Sequence, residues 1–208
     1  GGNAIDFDLG RFEPAGLVCG NAGDPCLESR CDGAGLCDAE GRSCRMPVTP
    51  GAGMLALRHG KQDRLTWHWT TGTSTVAEFG DPFGATDYDL CLYDKGTGSL
   101  RLLSRTSVSA GGTCGAMPCW VTTSGGYDYR NHAGPLEELA LQGSRFPGHA
   151  QIMARAIGSG FTMPAMPRAP PVMVRLRARS GLCWGANYSV PETNRRRRFM
   201  SYGDYSYP

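Results

Sequence analysis

Val172-Met-Val-Arg-Leu-Arg-Ala-Arg179, followed by Ser180-Gly181 and then Leu182-Cys-Trp-Gly-Ala-Asn-Tyr188, is the stretch that decides the fold class. Val172, Val174, Leu176 and Ala178 fall on one side of an extended chain, and Met173, Arg175, Arg177 and Arg179 on the other. A period of two is the signature of a strand with one face toward a core, because successive side chains leave a pleated backbone in opposite directions. Ser180-Gly181 supplies the tight turn of a hairpin, and Leu182 to Tyr188 returns as its second strand.

Working outward, similar runs recur at 54–58, 64–70, 86–93, 99–104, 106–110, 120–123, 127–130, 136–142 and 150–157, with turn residues between them. In 64–70, Leu65, Trp67 and Trp69 alternate with Arg64, Thr66, His68 and Thr70. The runs 136–142 and 150–157 are compatible with strand or short helix. Thirty glycines and fourteen prolines in 208 residues suit many short strands joined by turns. The expected fold is all-β, an antiparallel sandwich or jelly roll over residues 48–190. A disulfide-rich segment (19–47) and an amino-terminal strand or arm (1–18) precede it, and a basic, Tyr-rich tail (191–208) follows.

Nine cysteines, five of them at Cys19, Cys26, Cys31, Cys37 and Cys44, point to an oxidising compartment, because thiols persist as bridges only where no reducing pool competes. The expectation is a secreted protein, extracellular or at a cell surface, with any secretion signal already removed from Gly1. No apolar run approaches the length of a membrane helix. Cys91 and Cys183 lie in strand runs and are expected to bridge each other, closing a loop worth about 4 to 5 kcal/mol on the chain-entropy model. Cys114 and Cys119 suit a local bridge around Gly115 and Pro118. The amino-terminal five then form two local bridges and leave one thiol, which stays free, crosses to the β-domain or bonds another subunit. Zinc is not expected of the cluster, which lacks paired C-x2-C knuckles.

Several phrases resemble a secreted bacterial β-domain. They are Leu65-Thr-Trp67-His-Trp69, Glu78-Phe79-Gly80-Asp81-Pro82, Asp87-Tyr88-Asp89-Leu90-Cys91-Leu92-Tyr93-Asp94, Gly111-Gly112-Thr113-Cys114 running to Cys119-Trp120, Gly181-Leu182-Cys183-Trp184 and Tyr188-Ser189. A C-D-G-x-G-x-C core, as at Cys31 to Cys37, often precedes that domain. The resemblance spans about residues 19–200 and implies an extracellular bacterial sandwich, distantly similar to the pre-peptidase C-terminal type. It carries no catalytic residues across.

Charge is unevenly distributed. Residues 1–47 sum to −4, residues 48–144 to −2 and residues 145–208 to +8. Such polarity steers the ends of different copies together, brings the basic end onto a polyanion, or folds the acidic arm back on its own chain. Ile5, Phe7 and Leu9 alternate with Asp6 and Asp8 as a strand with no neighbouring hairpin partner. It is expected to pair at a distance or with another chain, or to be an ordinary terminal strand or a disordered tail. Arg175, Arg177 and Arg179 make a candidate anion-binding row, continued by Arg195 to Arg198; the plainer alternative is a solvent face. Asp87, Asp89 and Asp94 form a weak Ca2+ candidate without an EF-hand spacing. Glu137-Glu138 is expected to be a solvated pair. His59, His68, His132 and His149 occur in no metalloprotease pattern, and no nucleophile elbow or phosphate loop is present. Nucleic acid does not suit the nearly balanced whole-chain charge. The expected role is therefore a non-catalytic structural protein that self-associates outside the cell as a filament or surface layer. The alternative is an extracellular binding module for a glycan or another anionic surface.

Overall fold

The structure, a computed structural model, describes residues 44–204 apart from 97–99 and 159–160. Within the first 43 residues it describes the backbone of 5–6, 11–12, 18–20, 29–31 and 37–38, together with Cys26. The chain divides into two compact units, Gly1–Ser43 and Cys44–Pro208.

In the first unit, β1 (Ile5–Asp6) pairs antiparallel with β2 (Arg11–Phe12), placing Ile5 opposite Phe12. The leading strand expected to lack a nearby partner therefore has one six residues on. Phe7 and Leu9 lie outside the described residues. β3 (Val18–Gly20), β4 (Ser29–Cys31) and β5 (Cys37–Asp38) form a three-stranded sheet with β4 central.

The second unit is a sandwich of two antiparallel sheets. Its strands are β6 (Met54–Arg58), β7 (Arg64–Gly72), β8 (Tyr88–Asp94), β9 (Arg101–Val108), the short pair β10 (Thr113–Cys114) and β11 (Met117–Pro118), β12 (Trp120–Thr123), β13 (Gly126–Arg130), β14 (Leu136–Gln142), β15 (Ala150–Ile157), β16 (Val172–Ala178), β17 (Cys183–Tyr188), β18 (Pro191–Arg195) and β19 (Arg198–Tyr202). One sheet has eight strands in the order β12-β13-β14-β15-β7-β6-β19-β18, and the other has four in the order β17-β16-β8-β9. Both ambiguous runs are strands, β14 and β15. The expected tail is corrected: β18 and β19 form a hairpin that extends the large sheet beside β6, and Tyr202 belongs to it. Tyr205 and Tyr207 lie outside the described residues.

Alternation fills the space between the sheets. Leu55, Leu57, Leu65, Trp67, Trp69, Leu139, Leu141, Ile152 and Phe199 from the large sheet meet Tyr88, Leu90, Leu92, Val172, Val174, Leu176, Trp184 and Tyr188 from the small one. Buried indoles need acceptors, since an unpaired N–H away from water costs about 1 to 3 kcal/mol. Two of these bonds cross between the sheets: Trp67 Nε1 donates to Tyr188 Oη at 2.8 Å and Trp69 Nε1 to the Gly185 carbonyl at 3.0 Å. Trp184 Nε1 donates to Ser74 Oγ at 2.9 Å. Gly72 is obligatory for packing, because a Cβ there would stand 1.7 Å from the Trp69 ring.

Cys44 lies at the edge of the small sheet and bonds Cys183. This corrects the expected Cys91–Cys183 bridge. β16 lies between β8 and β17, with Cys91 opposite Arg175 and Cys183 opposite Arg177. Two strand spacings of about 4.8 Å separate the two cysteines, beyond disulfide reach. Cys114–Cys119 forms as expected. Cys26 and Cys91 are also disulfide-bonded, whereas Cys19, Cys31 and Cys37 have no described side chain. Among the amino-terminal cysteines Cys44 takes the crossing into the β-domain, and because Cys91 is bridged as well, the expected two local amino-terminal bridges do not both form.

Backbone bonds reinforce that link. Arg45 N–H donates to the Cys183 carbonyl at 2.8 Å and Gly185 N–H to the Arg45 carbonyl at 2.9 Å, so residue 45 covers the outer edge of β17. Arg45 also pairs with Glu78, whose carboxyl is held below the usual carboxylate range by the hydrogen-bonded guanidinium. The other edges are blunted by length or charge. β12 has four residues, β18 begins at Pro191 and carries Glu192 and Arg195, and β9 carries Arg101 and Arg105. These devices oppose edge-to-edge pairing.

Candidate functional site: an arginine row on the large sheet

In antiparallel sheets, directly opposed residues share a face, so register alone identifies a surface row. Arg58 ends β6 and faces Arg64 at the start of β7 on one side and Arg198 at the start of β19 on the other. Arg198 in turn faces Arg195 at the end of β18. Arg64, Arg58, Arg198 and Arg195 therefore stand in one line across four adjacent strands, about 14 Å from first to last at the usual strand spacing. All four are exposed, while Leu57, Leu65 and Phe199 beside them point into the core.

Each flanking turn adds positive charge. Arg196 and Arg197 form the β18–β19 turn, and Lys61 lies in the β6–β7 loop, all exposed. His59 N–H donates to the Arg197 carbonyl at 3.0 Å, which ties the two turns together. In the same loop Asp63 accepts from the Gly60 N–H and bonds His59 Nδ1 at 2.8 Å. Among the described residues no carboxylate pairs with Arg58, Arg64, Arg195, Arg196, Arg197 or Arg198; Arg198 Nη2 instead meets Met200 Sδ at 3.4 Å. Like charges directly opposite one another destabilise a sheet. Three consecutive opposed pairs are an arrangement that an anionic ligand would relieve.

At its β7 end the row opens into a polar cleft of about 520 Å³, lined by Gln62, Arg64, His132, Glu137, Arg155 and Ile157 among others. A bulge between Leu136 and Glu138 turns two successive glutamates to this face, around Arg155 on β15. Arg155 lies 3.4 Å from Glu137 and 3.5 Å from Glu138; Glu137 also bonds His132 Nδ1 at 2.9 Å, and Glu138 lies 3.8 Å from Arg130. The expected solvated pair Glu137-Glu138 is thus the centre of a charge-alternating network, because the bulge brings both carboxylates within reach of one guanidinium. That network neutralises Arg155 but leaves Arg64 at the cleft mouth without an acid.

The expected anion-binding row has different surroundings. Arg175 is buried at 7 % exposure, on a sheet whose central strand β8 is buried along its whole length. Arg179 pairs with Asp87 at 3.1 Å and Asp89 at 3.6 Å, and Arg177 stands opposite Asp89 in register. Acids on the neighbouring strand thus occupy the outer end of the row, which is why 175–179 does not form an open cationic surface.

The same pairing accounts for the aspartates considered for Ca2+. Asp89 accepts from Arg105 Nη2 at 2.9 Å and from the Ser107 hydroxyl at 2.5 Å. Asp94, fully buried, accepts from Arg101 Nε at 3.1 Å and Nη2 at 3.0 Å and from Arg168 Nη1 at 3.2 Å. Asp87 accepts from the Ala110 N–H at 2.8 Å. These carboxylates are separated along β8 and engaged by arginines, and no group of three His, Cys, Asp or Glu side chains among the described residues is placed to hold a metal ion.

Sequence reasoning picked out Arg195 to Arg198 but missed their alignment with Arg58 and Arg64. A partial signal existed, since Arg58 and Arg64 flank a short loop between two strand runs and so oppose each other in any hairpin. That β19 lies next to β6 had no local signal. No helix among the described residues is long and apolar enough to cross a membrane. No family model, curated protein or solved structure matches this chain.

Proposed function

We propose that this protein is a secreted, non-catalytic binding module that holds an anionic polymer, such as an acidic glycan or another anionic surface, outside a bacterial cell. The observation that carries the proposal is the row Arg64-Arg58-Arg198-Arg195, exposed and without acid partners among the described residues. Guanidinium groups are weakly hydrated and fork-shaped, which suits carboxylate, sulfate and phosphate groups, and a line of them suits a chain that carries such groups at intervals. The disulfides Cys44–Cys183 and Cys114–Cys119 fit an oxidising compartment.

The test is retention on immobilised polyuronate and heparin across a salt gradient. The wild type should be retained and released by salt. A variant with Arg58→Gln, Arg64→Gln and Arg198→Gln should elute near the void, while Arg179→Gln should elute with the wild type. A wild type that fails to bind, or a row variant that binds as well as the wild type, would overturn the proposal.

Self-association remains a second reading on one observation. Residues 1–47 carry a net charge of −4, and an acidic segment of this kind is one that the row of another copy would accept. Sedimentation at low salt would then show oligomers that vanish in the same triple variant; a monomer at every salt concentration excludes it. Local pairing of β1 with β2 removes the unpaired leading strand from its support.

A further inference from the structure

Two rows further along the same face, the chemistry changes from charged to soft. Met153 on β15 stands opposite His68 on β7, and His68 stands opposite Met54 on β6. The register thus sets two thioethers on either side of one imidazole across three adjacent strands, with Cβ atoms of opposed residues about 5 Å apart. All three residues are partly exposed. The His68 side chain has no hydrogen-bond or ion-pair partner among the described residues. The row continues through Ala140 to Asp128 on β13, two strands beyond Met153. A pocket of about 170 Å³ opens on the β15 side of His68, lined by His68, Met153, Thr70, Ala140, Gln142 and Gln151, while Met54 stands on the other side of His68, outside that lining.

From this juxtaposition we infer that Met54, His68 and Met153 form a binding site for a soft monovalent metal ion, Cu(I). Thioether sulfur is a soft, uncharged donor that selects Cu(I), and imidazole is compatible with the same ion. Hard dications require charge compensation from carboxylates in direct contact, and the carboxylate in this row, Asp128, stands two strands beyond Met153. The unbranched methionine stem has enough rotatable bonds to bring each sulfur toward an ion held on a ring nitrogen of His68. Met200 is the next methionine on this face, but it stands opposite Ala56 in the neighbouring row and its sulfur meets Arg198. It serves as an internal control.

The test uses the full chain with any free thiol alkylated, titrated anaerobically with Cu(I) under ascorbate against a chromogenic Cu(I) chelator. The expected result is one equivalent of tightly held Cu(I). Affinity should fall at least tenfold in Met54→Leu, Met153→Leu and His68→Leu, and remain unchanged in Met200→Leu. In methyl-labelled protein, Ag(I) as a redox-inert stand-in should shift the Met54 and Met153 methyl resonances. Cu(I) binding that survives the triple Leu variant would overturn the assignment. So would methyl shifts confined to other methionines.

Discussion

Arg58 has an arginine directly opposite on both sides, so neutralising it should stabilise the protein while weakening its hold on a polyanion. Arg58→Gln is the appropriate perturbation because it keeps most of the aliphatic stem that covers the sheet. With charges about 6 Å apart in a water-like dielectric, each repulsion is about 0.7 kcal/mol before screening. A Debye length of about 8 Å at physiological salt reduces this to about 0.3 kcal/mol, and one of about 30 Å at 10 mM salt leaves about 0.6 kcal/mol. Two neighbours double these figures, so Arg58→Gln should raise the unfolding free energy by about 1.1 kcal/mol at 10 mM salt and about 0.6 kcal/mol at 0.15 M. The gain should vanish at 1 M. Urea unfolding at the three salt concentrations measures it, and a double-mutant cycle with Arg198→Gln isolates one pair at about half the low-salt value. A destabilised variant, or a gain independent of salt, would refute the inference that these arginines face one another uncompensated.

Two further outcomes test the frame that carries the row. Replacing Cys44 and Cys183 together by serine opens a loop of 139 residues and should cost up to about 5 kcal/mol on the chain-entropy model, less where other bridges already shorten the loop; peptide mapping under non-reducing conditions should still find Cys91 in a bridge. Tyr88 and Tyr188 are fully buried, and burial pushes both phenols well above the ordinary value of 10.0. The unfolded chain releases these protons at lower pH than the folded one. Their contribution is therefore complete below pH 10 and falls by about 1.4 kcal/mol per pH unit for each tyrosine above it, until the folded-state values are reached. Stability measured between pH 9 and 11 should fall more gently in Tyr188→Phe, and an identical slope would show that Tyr188 does not titrate on unfolding.

Period-two alternation was enough to place most strands and to choose the inward residues. Leu65, Trp67, Trp69, Val172, Val174 and Leu176 are all in the core because a strand that buries one face must repeat every second residue. The local bridge Cys114–Cys119 was legible for a similar reason, since a loop of five residues leaves few alternatives. The larger bridge was not. Alternation shows which face a cysteine takes within its strand but not which strand lies beside it, and the insertion of β16 between β8 and β17 removed Cys91 from the reach of Cys183.

The arginines show the same division. The sequence by itself determined an all-β chain, a cysteine framework, a basic carboxy-terminal third and the identity of every charged residue. Which charges remain open was decided by tertiary structure alone. Arg179 is neutralised because β8 brings Asp87 and Asp89 beside β16. Arg58, Arg64, Arg195 and Arg198, scattered over 140 residues of sequence, align because β18 and β19 return to the edge of β6. Local periodicity is a property of one strand and its solvent, whereas a cross-strand row depends on the order of strands in the sheet, which contacts between residues distant in sequence determine.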